Sequence, residues 1–165
     1  ALHTIKMLVE HLPQCVDQNI ASLLQAKSAS CMIMLARPGL GLNTAMAHNI
    51  GDVYDVPHGE ANSIILPYTM RFNLDASADR QVLIAQAMGI DTSNMTNEDA
   101  GLAAADGVSQ LCQKLGLPMR FRDVGVPEEG LELIAAATLH DRGLATNPKQ
   151  ITDSGPIMSV LRDAW

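Results

Sequence analysis

Five histidines occur in the chain, and only His48 and His58 share one turn-rich stretch, GLGLNTAMAHNIGDVYDVPHGEANSIILPY. Neutral imidazole ligates first-row transition metals, and the ring also carries protons near neutral pH. The ten-residue spacing is not a fixed ligand spacing, and it suits two unrelated surface or core residues as readily as a shared cleft. Two imidazoles also fall short of the three protein ligands that a catalytic zinc site ordinarily has. Asp52, Asp55 and Glu60 flank the stretch and could add carboxylates, although acidic residues in turns are more often simply exposed.

Other residue types with chemical potential point elsewhere. His3, His11 and His140 fit helix surfaces or satisfied interior positions, with no partner at hydrogen-bond spacing in the sequence. Gly39-Leu40-Gly41 follows a helical stretch and lacks a third glycine, so it reads as a helix break and takes no phosphate. Ser109 and Cys112 have no histidine nearby, which leaves a hydrolase reading without support. Met32, Met34 and Met46 lie in helical stretches and are expected to fill core gaps.

The elements that must position His48 and His58 are helices. Apolar residues recur at intervals of three to four from Leu2 to Val16, with Pro13 near the end of that run. A second helix is expected from near Asn19 to Arg37-Pro38-Gly39, and a third from Leu42 towards Ile50. Gly51 should open a short connection, Val56-Pro57 an extended step, and a new helix should begin around Gly59 and bend at Pro67. A helix ending near His48 and another beginning after His58 would turn both imidazoles towards one cleft. Asp75 or Ser77 can cap the following helix, and Thr96 with Asp99 resembles a capping box for a helix running to Gly116. Pro127-Glu128-Glu129 opens a further helix through LELIAAATLHD, Asn147-Pro148 makes a turn, and Thr152 can cap the last helix. No period-2 alternation is long enough for a sheet, so the expected fold class is all-α, a single helical domain over 1–165.

Composition sets the outer limits. Hydrophobic residues make up 47% of the chain and aromatics only 3%, so the core must be aliphatic. A formal net charge of −7 leaves no basic surface for phosphate, which excludes nucleic acid as an expected partner. The three cysteines are far apart and form no C-x-x-C pair, as expected of reduced thiols in a cytoplasmic protein. No apolar run is long enough to span a bilayer, so no membrane association is expected. The start, ALHTIKMLVEHL, lacks an initiator Met and reads as helix interior, which raises the expectation of further sequence upstream.

AMAHNIGDVYDVPHGEANSIILPY resembles the signature region of the iron-containing (group III) alcohol dehydrogenases, including their lactaldehyde (propanediol) oxidoreductase type. ALHTIKMLVEHLP, LPMRFRDVGVPEEGLELIAAATLHD and the TNPKQIT…LRDAW terminus extend the likeness over essentially the whole chain. The resemblance implies the family's carboxyl-terminal helical domain, partnered in the family by an amino-terminal α/β domain that holds NAD(P). It also implies a divalent metal, Fe²⁺ or Zn²⁺, held by an Asp and a His on one helix and by two further histidines. By motif position His58 corresponds to the last ligand, and His48 to a histidine beside the metal that assists substrate or proton transfer. The family's remaining histidine ligand, four residues before His48, falls on Thr44, whose neutral hydroxyl is a much poorer ligand. The Asp and first His are expected upstream of Ala1.

Taken together, these likenesses imply a helical, metal-binding domain of an NAD(P)-dependent alcohol dehydrogenase or aldehyde reductase, incomplete for catalysis by itself. Its substrate would be a small alcohol or aldehyde, and NAD(P) would need the absent domain. The alternative is a non-catalytic helical remnant or interaction module that has lost metal binding, the reading Thr44 favours. A complementary α/β chain could also supply the missing parts, and apolar surface left uncovered would favour a homodimer.

Overall fold

The computed structural model describes residues 1–35 and 39–165, with the backbone alone for 33–35; the proline break expected at Arg37-Pro38 therefore lies outside the described residues. Eight α-helices and three short 3-10 turns succeed one another, and no strand occurs among the described residues. The helices are α1 (Leu2–Cys15), α2 (Ile20–Leu35), α3 (Leu42–Tyr54), α4 (His58–Phe72), α5 (Leu74–Ala87), α6 (Asn97–Lys114), α7 (Leu131–Leu139) and α8 (Ser154–Ala164). The 3-10 turns span Phe121–Val124, Glu128–Gly130 and Arg142–Thr146. The all-α reading holds, and no described helix is long and apolar enough to cross a membrane.

The core lies where α3, α4, α7 and α8 meet. Ile50, Ile65, Leu131, Ile134, Ile157 and Leu161 are all fully buried there, and Phe121 is the one aromatic ring buried completely among them. Burial of this aliphatic surface is the main force holding the four helices together. Trp165 packs against the same cluster and donates its indole N–H to the Val126 carbonyl at 2.8 Å, which satisfies the one polar atom of its ring. Met46 is fully buried, as expected, whereas Met32 is exposed; the side chain of Met34 is outside the described residues. α5 packs on α6, and α1 on α2.

Several helix ends are set by local chemistry. Thr96 accepts from the Asp99 N–H at 3.1 Å, the capping interaction read from the sequence. The last helix is capped by Asp153 rather than Thr152, with the Gly155 N–H donating to the Asp153 carboxylate at 2.9 Å. Pro156 then falls in the first turn, where a missing donor is harmless. Neither Asp75 nor Ser77 caps α5 from its start; Ser77 instead sits at a kink inside it, donating to the Asn73 carbonyl at 2.7 Å.

The most consequential difference is at Gly51. α3 does not end there but runs another turn to Tyr54, and the connection to α4 shrinks to Asp55, Val56 and Pro57. Asp55 adopts the left-handed conformation (φ 54°) that aspartate tolerates, and its N–H closes the helix on the Gly51 carbonyl at 2.9 Å. Val56 is buried and its carbonyl lies 3.3 Å from where a Cβ on Gly51 would stand, so the glycine admits the close return of the chain. Gly130 receives the Tyr54 ring in the same way, since a Cβ there would overlap the tyrosine hydroxyl.

Candidate functional site

Two long-range pins fix the start of α3. Gly41, at φ 100°, donates its N–H to the Gly143 carbonyl at 2.9 Å, and the Leu42 N–H donates to the Asn147 side chain at 3.1 Å. Gly39-Leu40-Gly41 thus enters α3 through a conformation that favours glycine. Asn147 donates to the Asn73 side chain at 2.8 Å and to the Lys149 carbonyl at 2.7 Å, which ties the same point to the α4–α5 junction. One residue further, Asn43 on α3 donates to the Asn62 side chain at 2.6 Å, and Asn62 donates to the His58 carbonyl at 2.7 Å. The first turn of α4 is therefore held against α3 by an amide chain that ends on His58.

This framework brings His48 and His58 together. Their rings stack with centroids 5.4 Å apart and planes 18° from parallel. Imidazole lone pairs lie in the ring plane, so the two rings turn π faces towards one another. His48 is half-buried and lines an open cleft of about 700 Å³ together with Leu40, His140, Asp141, Arg142 and Gly143. His58 is exposed at the first position of α4.

Asp141, which sequence reasoning passed over, meets the other edge of His48. Its Oδ2 lies 3.4 Å from His48 Nδ1, while its Oδ1 accepts the Gly143 N–H at 2.6 Å. The D-x-G pattern of Asp141-Arg142-Gly143 was a local signal for that cap, but the 93-residue separation from His48 left the pairing invisible. His140, read as a helix-surface or satisfied interior residue, is exposed on the wall of the same cleft. His3 is exposed; His11 is half-buried with an unpartnered Nδ1.

A divalent metal site needs several donor side chains converging on one point. No three His, Cys, Asp or Glu side chains converge in that way among the described residues. Thr44 lies one turn before His48 on α3 and offers a neutral hydroxyl, a weak ligand for Fe²⁺ or Zn²⁺. Asp52 and Asp55 are exposed and Glu60 is half-buried, and none of their carboxylates accepts a hydrogen bond from either histidine. Cys112 is buried and its Sγ faces the Ser63 carbonyl at 3.9 Å; burial pushes its thiol up from the ordinary range, the reverse of an activated nucleophile.

The family described as "Fe-containing alcohol dehydrogenase family, C-terminal" matches residues 1–165. Lactaldehyde reductase of Escherichia coli K12 is 39% identical over 127 residues, covering 77% of this chain and 33% of that protein. 1,3-Propanediol dehydrogenase of Citrobacter freundii is 31% identical over 169 residues, covering 100% of this chain and 43% of the relative. The crystal structure of a 1,3-propanediol oxidoreductase superposes with a TM-score of 0.95 at 30% identity, over 99% of this chain and 44% of that one. The chain thus spans less than half the length of these relatives. Its sequence, its helices and the whole of its length agree on one assignment: the chain belongs to the iron-containing alcohol dehydrogenase family and carries that family's carboxyl-terminal domain.

Proposed function

We propose that this chain is the helical, catalytic-side part of an NAD(P)-linked oxidoreductase that interconverts small alcohols and aldehydes. The observation that carries the proposal is the His48 cleft: a histidine stacked on His58 and faced by Asp141, in a domain that superposes on a 1,3-propanediol oxidoreductase. Alcohol oxidation releases a hydride, which the nicotinamide accepts, and a hydroxyl proton. His48 is the group in this chain suited to take that proton, since imidazole exchanges protons near neutral pH. By resemblance to the family, the nicotinamide would be held by an amino-terminal α/β domain, and among the described residues no three His, Cys, Asp or Glu side chains converge on a metal. Both would depend on residues beyond those of this chain.

The test joins residues 1–165 to the part of the Citrobacter freundii 1,3-propanediol dehydrogenase that the chain does not span, and assays NAD(H) turnover with small primary alcohols. Turnover should appear in the joined protein, be absent from the chain alone, and fall by roughly 10²-fold or more in His48→Ala. Robust turnover by residues 1–165 alone would overturn the dependence on outside residues.

Thr44 favours a second reading, a helical module that has kept the packing of the domain and lost its chemistry. In that case the joined protein stays inactive with Thr44 and gains turnover only with Thr44→His.

A further inference from the structure

The Arg142–Thr146 turn fastens a carboxylate against His48. Asp141 donates its own N–H to the Thr138 carbonyl at 2.9 Å, and its Oδ1 is occupied by the Gly143 N–H. Gly143 is buried against α3: a Cβ there would stand 3.4 Å from the Cβ atoms of both Ala45 and Leu40, and its carbonyl already accepts from Gly41. The carboxylate is therefore tied to α7 through the Asp141 N–H and to α3 through Gly143. Its side chain is 19% exposed and that of His48 41% exposed, so the remaining oxygen, Oδ2, meets the imidazole edge at a partly dehydrated contact. Arg142 and His140 are exposed on the same wall, and neither is hydrogen-bonded to the carboxylate.

A neutral imidazole carries one N–H and one lone pair, and an ionised carboxylate only accepts. Facing Oδ2 with the Nδ1 lone pair is repulsive, whereas facing it with Nδ1–H gives a charge-assisted hydrogen bond, long at 3.4 Å but attractive. Histidine free in water favours the opposite form, with the proton on Nε2. We propose that Asp141 is a positioning residue that holds neutral His48 as the Nδ1–H tautomer, leaving Nε2 on the opposite ring edge as the proton acceptor. Stacking on His58 limits rotation of the ring away from this pose. The role assigned to Nε2 rests on the oxidoreductase reading above; the tautomer itself does not.

The experiment is a long-range ¹H–¹⁵N correlation spectrum of the histidine side chains in the 165-residue protein at about pH 8.5, where an ordinary histidine is neutral. His48→Gln identifies the His48 signals by their loss. The expected wild-type pattern has a pyrrole-like Nδ1 and a pyridine-like Nε2. Asp141→Asn keeps an oxygen for the Gly143 N–H but turns an NH₂ towards Nδ1, so the pattern should invert, while Asp141→Ala should relax to the Nε2–H form. A wild-type His48 found as Nε2–H overturns the proposal without recourse to any variant, as does a pattern unchanged in Asp141→Asn. Inactivity of the joined protein with an intact Nδ1–H pattern would count against the oxidoreductase reading alone.

Discussion

α3–α4 and α1–α2 are both pairs of consecutive helices, yet they are finished differently. α3 and α4 bury Met46, Ile50, Ile64 and Ile65 completely, and their polar residues are pinned by Gly143, Asn147 and the Asn43–Asn62 link. α2 has no preferred apolar face, and among its described side chains those buried are Ser22, Ala26 and Ala29. Its described large apolar side chains are exposed, Ile20 at 73% and Leu24 at 63%. The half that carries the cleft is thus stabilised by contacts within the chain, and the described side chains of α1 and α2 gain less from burial.

Truncating the two halves should separate them most widely. Ile65→Ala should cost about 2–5 kcal/mol in urea unfolding, since it leaves a cavity in the fully buried cluster. Leu24→Ala should stay within about 0.5 kcal/mol. Comparable losses would mean that α2 is covered in solution and would erase the contrast. Next in size, Gly130→Ala should destabilise by roughly 1–3 kcal/mol, because the new methyl overlaps the Tyr54 hydroxyl and must push the ring off α7.

Thiols report the same division. Cys31, exposed on α2, should react with a thiol reagent on the order of a hundredfold faster than Cys112, buried on α6. Burial raises the Cys112 thiol above its ordinary value of 9.0, so the neutral form favours the fold. That contribution is complete below pH 9.0 and is lost as pH rises towards the folded value; a Cys112→Ala protein should lack this alkaline decline.

The smallest effect belongs to the surface. The Lys149 ammonium, bonded to Asp75 at 2.7 Å, holds that carboxyl below its ordinary value of 3.8. The pair helps above pH 3.8, and its help disappears as pH falls through the lower folded value; Lys149→Met should remove that acid-side difference, and salt should mask it.

Several helix features were legible because their signals were local. The Thr96–Asp99 cap, the Asn147-Pro148 turn and the aliphatic periodicity sit within a few residues of what they determine. The last turn of α3 was not, because Tyr54 is held by Gly130, far along the chain, and glycine in the sequence reads as a stop. His48 and His58 were legible as neighbours through their motif, whereas Asp141 reaches His48 only through the Gly41–Gly143 pin. Met32 shows the converse error, since periodicity marks a helix but does not say which face finds a neighbour.

The most direct measurement is a Co²⁺ titration of the 165-residue protein, monitored by visible d–d absorption and by metal content after dialysis. No saturable one-to-one site is expected from His58 and a threonine hydroxyl, and Thr44→His should bind Co²⁺ more tightly by placing a second imidazole one turn before His48. Tight, stoichiometric binding by the unaltered chain that His58→Ala abolishes would contradict the view that its own donors fall short of a metal site.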